Sequence, residues 1–192
     1  MKYNPDIHHR RSIRLKGYDY SQEGYYFVTI CIQNRECLLG QLINNTILLN
    51  DAGLMVQNIW KALPDHYPGV GIDSYIIMPN HIHGIIILTV GAGHCACPCE
   101  GLTIQGQPRG VAPTMKLSDV IHRFKSLTTT IYRQSVIHHN WPSFPGKLWQ
   151  RNYYDHIIRN DQELNQIREY IINNPLKWET DEENPVNLKK EL

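Results

Sequence analysis

Short runs of apolar residues alternate along this chain with polar, turn-forming segments. Runs rich in β-branched and aromatic residues predict four strands, at 25–33, 46–49, 72–78 and 81–90. Apolar residues that recur every three or four positions predict three helices, at 51–63, 117–134 and 161–173. This order predicts an α+β fold in which helices pack on a central antiparallel sheet.

The stretch 91–115 breaks this pattern, because it holds many glycines and prolines and shows no apolar periodicity. A connection of this length predicts a mobile insertion within one domain that covers 1–178. The polar segment 179–192 is expected to be a tail that frays or lies over the surface. Residues 94–99 include His94 and three cysteines, but zinc sites usually combine two separate ligand pairs. We therefore favour an accident of composition over a structural metal site there.

The overall composition indicates a reduced, cytoplasmic protein. Formal net charge is +1 over 192 residues, and the five cysteines are an odd number, three of them bunched. No apolar run reaches about 18 residues, so no membrane span is predicted, and the first residues lack the apolar core of a signal peptide. Basic residues cluster near the start without an acidic neighbour, and this arm is either a solvated terminus or a phosphate contact made by Arg10, Arg11, Arg14 and Lys16.

Two histidines stand at the start of the last predicted strand. Residues two apart on a strand share a face, so His81 and His83 can converge on one cation or phosphate. Their place at the start of the strand leads us to expect them near a sheet edge, within reach of solvent. A His-x-His pattern by itself is short, and an isolated case is more often a pair of ordinary polar residues.

The last predicted helix carries a second set of candidate residues. On a helical wheel its apolar stripe is formed by Leu164, Ile167 and Ile171, and Tyr170 and Asn174 lie four apart at the margin of that stripe. A residue in this position is half buried but can extend its polar tip into a cleft. Taken alone, Tyr170 also fits an amphipathic tyrosine at the edge of the core.

These segments together resemble a known family. The sequence Met-Pro-Asn-His-Ile-His at 78–83 looks like the His-hydrophobe-His motif of the HUH single-strand nucleases. The sequence Tyr-Ile-Ile-Asn-Asn-Pro at 170–175 resembles the Tyr-x-x-x-Asn-Pro segment of the REP-associated tyrosine transposases, relatives of the single-tyrosine transposases of the smallest bacterial insertion sequences. The resemblance covers roughly residues 10–178 and extends to 25–33, 124–126, 149–151 and 155–159.

The resemblance implies both a fold and a chemistry. The fold would be an RRM-like, ferredoxin-type antiparallel sheet with helices packed on it. His81, His83 and Asn174 would bind a divalent metal, Mg²⁺ or Mn²⁺, and Tyr170 would be the nucleophile. The enzyme would be a metal-dependent endonuclease and strand transferase for single-stranded DNA, acting through a 5′-phosphotyrosine at hairpin or REP-like sequences as a monomer or homodimer. Candidate DNA contacts outside the basic arm are Lys125, Arg151 and Arg159.

Other interpretations of the same residues stay open. Tyr153 and Tyr154 are rival nucleophiles, because they lie beside Asp155 and His156. A non-catalytic module could bind single-stranded nucleic acid by stacking bases on an RRM-like sheet. A third class is a metal-dependent phosphoesterase that uses the histidines with a water nucleophile. Only the tyrosine enzyme forms a covalent protein–DNA adduct, so this product separates the three classes.

Overall fold

A four-stranded antiparallel sheet with the strand order β4-β5-β1-β6 lies at the centre of the fold. The structure is a computed structural model that describes residues 18–89, 115–181 and 183–188. The predictions made for the basic arm and for most of the 91–115 stretch, including its His94 to Cys99 segment, fall outside these residues. Within them, the α+β architecture predicted from the sequence is confirmed.

The elements follow one another with short connections. They are β1 (Gly24–Cys31), β2 (Gly40–Ile43), β3 (Thr46–Leu49), α1 (Asp51–Lys61), α2 (Leu63–His66), β4 (Val70–Ile77), β5 (His81–Leu88), α3 (Leu117–His139), β6 (Tyr154–Ile158), α4 (Asp161–Ile172) and α5 (Pro185–Leu188). Two 3₁₀ helices, Gln33–Arg35 and Asn174–Thr180, complete the set that the structure describes.

Most of the predicted elements are present, and their differences from the prediction have local causes. The β2–β3 hairpin turns on Asn44 and Asn45, which both have positive φ. Strand β2 was not predicted from the sequence, because it is only four residues long. Asn50 and Asn160 accept hydrogen bonds from the first turns of α1 and α4, as expected of helix caps. Beyond α4 the chain continues as a 3₁₀ helix, whereas the sequence suggested that Pro175 would end helical structure.

Alternate residues of each strand face opposite layers of helices. Tyr26, Val28 and Ile30 of β1 point into the main core, which α1 and α3 complete. On the opposite face, Phe27 lies in a smaller apolar cluster that is closed by α4. Both faces of the sheet are therefore covered by helices, and functional side chains can reach a ligand only where this cover ends.

The smaller cluster fixes the position of α4. It contains Phe27, Ile85 and Ile158 from the sheet together with Leu164 and Ile171 from the helix. Both helix residues belong to the apolar stripe predicted from the sequence, and each is less than a tenth exposed. Tyr170 precedes Ile171 and is thereby held beside the same face of the sheet.

No helix within the described ranges is both long enough and apolar enough to span a bilayer.

Candidate metal and tyrosine site

The two histidines lie on an interior strand and not at a sheet edge. β5 is hydrogen-bonded to β4 on one side and to β1 on the other, and His83 is paired with Thr29. His81 is 0% exposed and His83 is 3% exposed, so the expectation of solvent-accessible histidines at an edge was wrong. The strand order, which depends on pairing between distant segments, decides this burial.

Hydrogen bonds orient the first imidazole. The Asn80 amide nitrogen donates to the carbonyl oxygens of Arg35 (3.0 Å) and Glu183 (2.7 Å), which fixes the amide oxygen as an acceptor. That oxygen lies 2.8 Å from His81 Nδ1, so Nδ1 is the protonated nitrogen of His81. The Nε2 lone pair of His81 is therefore directed into the site.

The second imidazole faces the first. His83 Nε2 lies 3.0 Å from His81 Nε2, and His83 Nδ1 lies 2.9 Å from the Thr29 hydroxyl. A hydroxyl can donate or accept, so Thr29 can accommodate either tautomer of His83. With its proton on Nδ1, His83 presents a second lone pair to the same point as His81.

Burial keeps both imidazoles neutral. It lowers the pKa of His83 to about 4, against the opposing effect of the Glu183 carboxylate. It lowers the pKa of His81 well below its usual range, and the charges of His83 and Arg35 act in the same direction. Neutral imidazoles are the form that ligates metals.

Tyr170 reaches this pair from α4. Its hydroxyl lies 3.4 Å from His83 Nε2, and its ring meets the Phe27 ring edge-on with 5.9 Å between centroids. The Lys177 ammonium lies 6.0 Å from the centroid of the tyrosine ring. The side chain remains 39% exposed, so its hydroxyl is accessible on the open side of the site.

Asn174 follows one turn later, with the geometry changed by Pro175. It begins the 3₁₀ helix and is 1% exposed, and its amide oxygen has no hydrogen-bond partner among the described residues. A buried polar oxygen without a partner is costly, which is consistent with a ligand-binding role. Asn174 lines the same cavity as His83 and Tyr170.

Asp181 is a member of the site that the sequence analysis missed. Its carboxylate oxygen lies 3.9 Å from His81 Nε2, and the ligand atoms of Asp181 and the two histidines all lie within 4.8 Å of one another. The sequence analysis assigned this residue to the polar tail. The signal that could have revealed it is Trp178, an aromatic residue within a polar stretch, whose ring lies 6.0 Å from that of His81.

The donor set fits a divalent metal. Adjacent ligands of an octahedral ion, with ligand distances of about 2.1 Å, stand about 3.0 Å apart. The two imidazole nitrogens have this separation, and the unpaired oxygen of Asn174 and the Asp181 carboxylate are nearby oxygen ligands. A mixed set of imidazole nitrogens and oxygens is typical of a site for a divalent metal.

The site opens into a cavity of about 560 Å³. Phe27, Tyr154 and Tyr170 supply aromatic surface to it, and Lys177 supplies a positive charge. Of the two rival tyrosines, Tyr154 lines this cavity, whereas Tyr153 packs against the main core. The Tyr170 hydroxyl lies 3.4 Å from His83 Nε2.

The predicted DNA contacts that the structure describes do not line this cavity. Lys125 and Arg151 border a separate groove beside α3. Arg159 is exposed between β6 and α4, and its backbone N–H donates to Glu163. The four basic residues of the N-terminal arm lie outside the described residues.

Comparisons with known proteins show similarity to transposases. A family model described as IS200-like transposase matches residues 110–174, which include Tyr170 and Asn174. An uncharacterized protein of Haemophilus influenzae is 46% identical over 182 residues, which cover 94% of this chain and 96% of the relative. A second protein of that organism, provisionally named a REP-associated tyrosine transposase, is 28% identical over 160 residues, 83% of this chain and 74% of its own.

One solved structure has the same fold. It shows a REP-associated tyrosine transposase bound to a REP hairpin, with a TM-score of 0.53 and 19% sequence identity. The match covers 85% of this chain and 73% of the other. At this identity the likeness establishes the fold alone.

Proposed function

We propose that the chain is a member of the REP-associated tyrosine transposase family and that it cuts and rejoins single-stranded DNA through a 5′-phosphotyrosine on Tyr170. The likeness to transposases supports a DNA-processing enzyme, and the geometry of the site suggests the mechanism. One observation carries it: the Tyr170 hydroxyl lies 3.4 Å from His83 Nε2, which faces His81 Nε2 at 3.0 Å. The nucleophile therefore lies beside a convergent ligand pair, and Tyr170 and His83 both line the cavity.

The metal would be Mg²⁺ or Mn²⁺. His81, His83 and Asn174 would hold it, and Asp181 is placed to contribute a carboxylate. A bound divalent ion polarises the non-bridging oxygens of a phosphodiester and offsets the charge that repels a nucleophile. His83 would carry its proton on Nδ1 toward Thr29, leaving both Nε2 lone pairs available.

The chemical step is a transesterification. The Tyr170 oxygen forms a bond to phosphorus, and the bond from phosphorus to the 3′ oxygen of the preceding nucleotide breaks. The phenol gives up its proton and the departing 3′ oxygen takes one up, so the proton count is unchanged. A phenol with a pKa near 10 is mostly protonated at neutral pH. The nearby Lys177 charge would favour the phenolate and attract the DNA phosphate.

The reverse reaction explains strand transfer. A phosphotyrosine retains the energy of the phosphodiester bond, so a 3′ hydroxyl from the same or another strand can displace Tyr170. The DNA is thereby rejoined without ATP. The exposed side of Tyr170 leaves room for the incoming end.

The two alternative functions are disfavoured by specific features of the site. A module that only stacks bases would expose its sheet, whereas α4 covers this face and His81 and His83 are buried. A phosphoesterase with a water nucleophile has no need for a tyrosine hydroxyl beside its ligand histidine. Formation of a covalent adduct distinguishes the proposed reaction from both.

We propose a hairpin-forming single strand as the substrate and a site completed within one chain. A solved structure with the same fold shows a REP-associated tyrosine transposase bound to a REP hairpin. Tyr170 and His83 meet within one chain, although 87 positions separate them in sequence. Mixing Tyr170→Phe protein with His83→Ala protein tests this point, because activity would return only if subunits share sites.

The central experiment follows the covalent intermediate. A hairpin oligonucleotide labelled at its 3′ end is incubated with protein and Mn²⁺ and resolved on a denaturing gel. We expect wild type to form a slow-migrating protein–DNA band that EDTA abolishes, and Tyr170→Phe to bind DNA without forming it. His81→Ala and His83→Ala should lose both the band and Mn²⁺ binding, and Asn174→Ala should show a smaller loss.

Matched tyrosine variants provide the control. Tyr153→Phe and Tyr154→Phe remove the same oxygen from neighbouring tyrosines and should still form the adduct. Mass spectrometry of the nucleotide-linked peptide identifies the attached residue. An adduct on Tyr153 or Tyr154, or one that persists in Tyr170→Phe, would refute the assignment of the nucleophile.

A further inference from the structure

A second groove, of about 430 Å³, lies beside α3 and is separate from the histidine site. Four cationic side chains line it, those of Lys125, Arg133, Lys147 and Arg151. None of its lining residues is acidic, although acidic and basic residues are nearly balanced over the whole chain, 18 against 19. A concentration of positive charge of this kind attracts a polyanion.

Lys125 holds the two walls of the groove together, and its ammonium is already engaged by protein groups. Its ammonium donates to the carbonyl oxygens of Gln150 (2.9 Å) and Asn152 (3.0 Å), and it lies 5.4 Å from the centroid of the Tyr153 ring. Burial lowers the pKa of Lys125 to about 8. These contacts tie the segment after Trp149 to α3, so the two walls of the groove are held together.

The remaining cations are better placed to meet a ligand. Arg133 is steadied by one hydrogen bond to the Gly146 carbonyl and by the Phe144 ring, and its other guanidinium hydrogens remain for a phosphate. Lys147 and Arg151 are exposed, so their charged groups are accessible to a ligand. The groove thus presents three cations along one surface.

The lining favours a duplex backbone over a single strand. Single-strand sites typically offer aromatic faces on which bases stack. Trp149 is the single Phe, Tyr or Trp residue in the described lining of this groove; it is 4% exposed, and its indole N–H donates to the Thr128 hydroxyl. Ser126 adds a hydroxyl group to the lining, whereas the hydroxyls of Thr129 and Thr130 donate to the backbone carbonyl oxygens of Lys125 and Ser126.

The groove is also connected to the proposed cutting site. The backbone N–H of Gln150 donates to the carbonyl of Cys31 (2.9 Å), and Cys31 is paired with His81 across the sheet. The segment that carries Arg151 is therefore hydrogen-bonded to the end of β1 that lies beside the histidines. A nucleic acid held by this segment would approach the cavity that contains Tyr170.

We propose that this groove binds the phosphate backbone of the duplex stem of a DNA hairpin through Arg133, Lys147 and Arg151. Lys125 acts as a positioning residue that holds the groove in shape. This inference rests on the proposed function, which supplies the hairpin substrate. It assigns recognition of the stem to the α3 side of the sheet and cleavage to the α4 side.

Salt dependence separates the phosphate contacts from the positioning residue. Binding is measured in the Tyr170→Phe background, by fluorescence anisotropy, with a labelled hairpin and with a labelled oligothymidylate, over about 50 to 200 mM salt. Each of Arg151→Ala and Lys147→Ala should weaken hairpin binding and reduce the log–log slope by about 0.9, the value for one phosphate contact on a duplex. Lys125→Met should weaken binding and leave the slope unchanged, because no phosphate contact is lost.

Arg123→Ala is the matched control, since Arg123 lies on the same helix but outside the groove, stacked on Tyr67. It should leave affinity and slope unchanged. Circular dichroism verifies that each variant is folded, and the two surface variants carry the test even if Lys125→Met is unstable. Unchanged slopes in Arg151→Ala and Lys147→Ala would overturn the proposal, and an equal loss on oligothymidylate would overturn the choice of duplex.

The outcome is independent of the proposed chemistry. Unchanged slopes together with a normal Tyr170 adduct would refute the groove alone. Reduced slopes in those variants, together with no adduct from the protein that retains Tyr170, would refute the tyrosine mechanism and leave the groove in place.

Discussion

Replacing Gly84 with alanine should force a rearrangement at the strand that carries the histidines. Gly84 follows His83 on β5 and faces the main core, where the Trp60 ring packs directly against it. A Cβ at this position would lie 2.4 Å from Trp60 Cζ2 and 3.1 Å from Cε2. Non-bonded carbons prefer about 3.5 Å or more, so either Trp60 or the strand must move by about 1 Å.

The size of the effect follows from how tightly Trp60 is held. Its side chain is 0% exposed, and its ring meets Phe124 edge-on with 5.2 Å between centroids. Because a buried ring has little room to yield, we expect Gly84→Ala to cost about 3 kcal/mol, the upper part of the usual range for overpacking.

A second substitution should relieve this clash. Trp60→Phe removes the atoms nearest the new methyl group and leaves a small cavity, at a cost of about 1–2 kcal/mol. It also removes the Trp60 indole N–H, which is buried without a hydrogen-bond partner among the described residues. In the double variant the methyl group occupies the vacated space, so we expect a favourable coupling of about 2 kcal/mol.

Urea unfolding of the four proteins measures this coupling, provided that the m-values agree. Additivity within about 0.5 kcal/mol would refute the argument from close packing. Mn²⁺ titration of the same proteins shows whether the Trp60 ring or strand β5 moves. If the strand moves in Gly84→Ala, His83 is displaced and Mn²⁺ affinity falls, and Trp60→Phe should restore it.

Three further predictions concern the helix, the histidines and the insertion. Asp73 accepts two hydrogen bonds from Arg168, at 2.9 and 2.6 Å, and these bonds fix α4 two residues before Tyr170. Asp73→Asn should therefore slow adduct formation. Hairpin affinity, measured by anisotropy, should be retained. Burial lowers the pKa of His83 from 6.5 to about 4, so the unfolded chain binds an extra proton between these values. The contribution of His83 to the stability of metal-free protein in EDTA should fall by about 3 kcal/mol as pH falls from 6.5 to 4. Because the pKa of His81 is also lowered, His83→Gln should reduce the pH dependence in urea titrations by this amount and leave the contribution of His81. Replacing 91–115 with a short Gly/Ser linker should shift the melting temperature by only a few degrees, and collapse of the fold or loss of stoichiometric zinc would contradict the interpretation of that stretch.

Local patterns in the sequence were sufficient for the elements that carry the site. Alternation along a strand placed His81 and His83 on one face, and this is their arrangement on β5. Helical periodicity identified Leu164 and Ile171 as the buried stripe of α4, beside Tyr170. These features depend only on the spacing of residues that are close in sequence, and this spacing can be read from the sequence alone.

The tertiary structure decided which of these residues meet and how deeply they are buried. The histidines became interior because β5 pairs with both β4 and β1, an outcome of long-range strand order that leaves no periodic signal. From the sequence, Lys125 was expected to be a cation on a solvent-exposed helix face. In the structure its ammonium donates hydrogen bonds to the carbonyl oxygens of Gln150 and Asn152, because residues 150–152 pack against α3. Asp181 sits beside His81 only because a 3₁₀ helix after α4 brings the polar segment back to the sheet. Sequence spacing determines which residues share a face, whereas contacts between distant segments depend on the packing of the whole domain, because many different chain paths are compatible with the same local patterns.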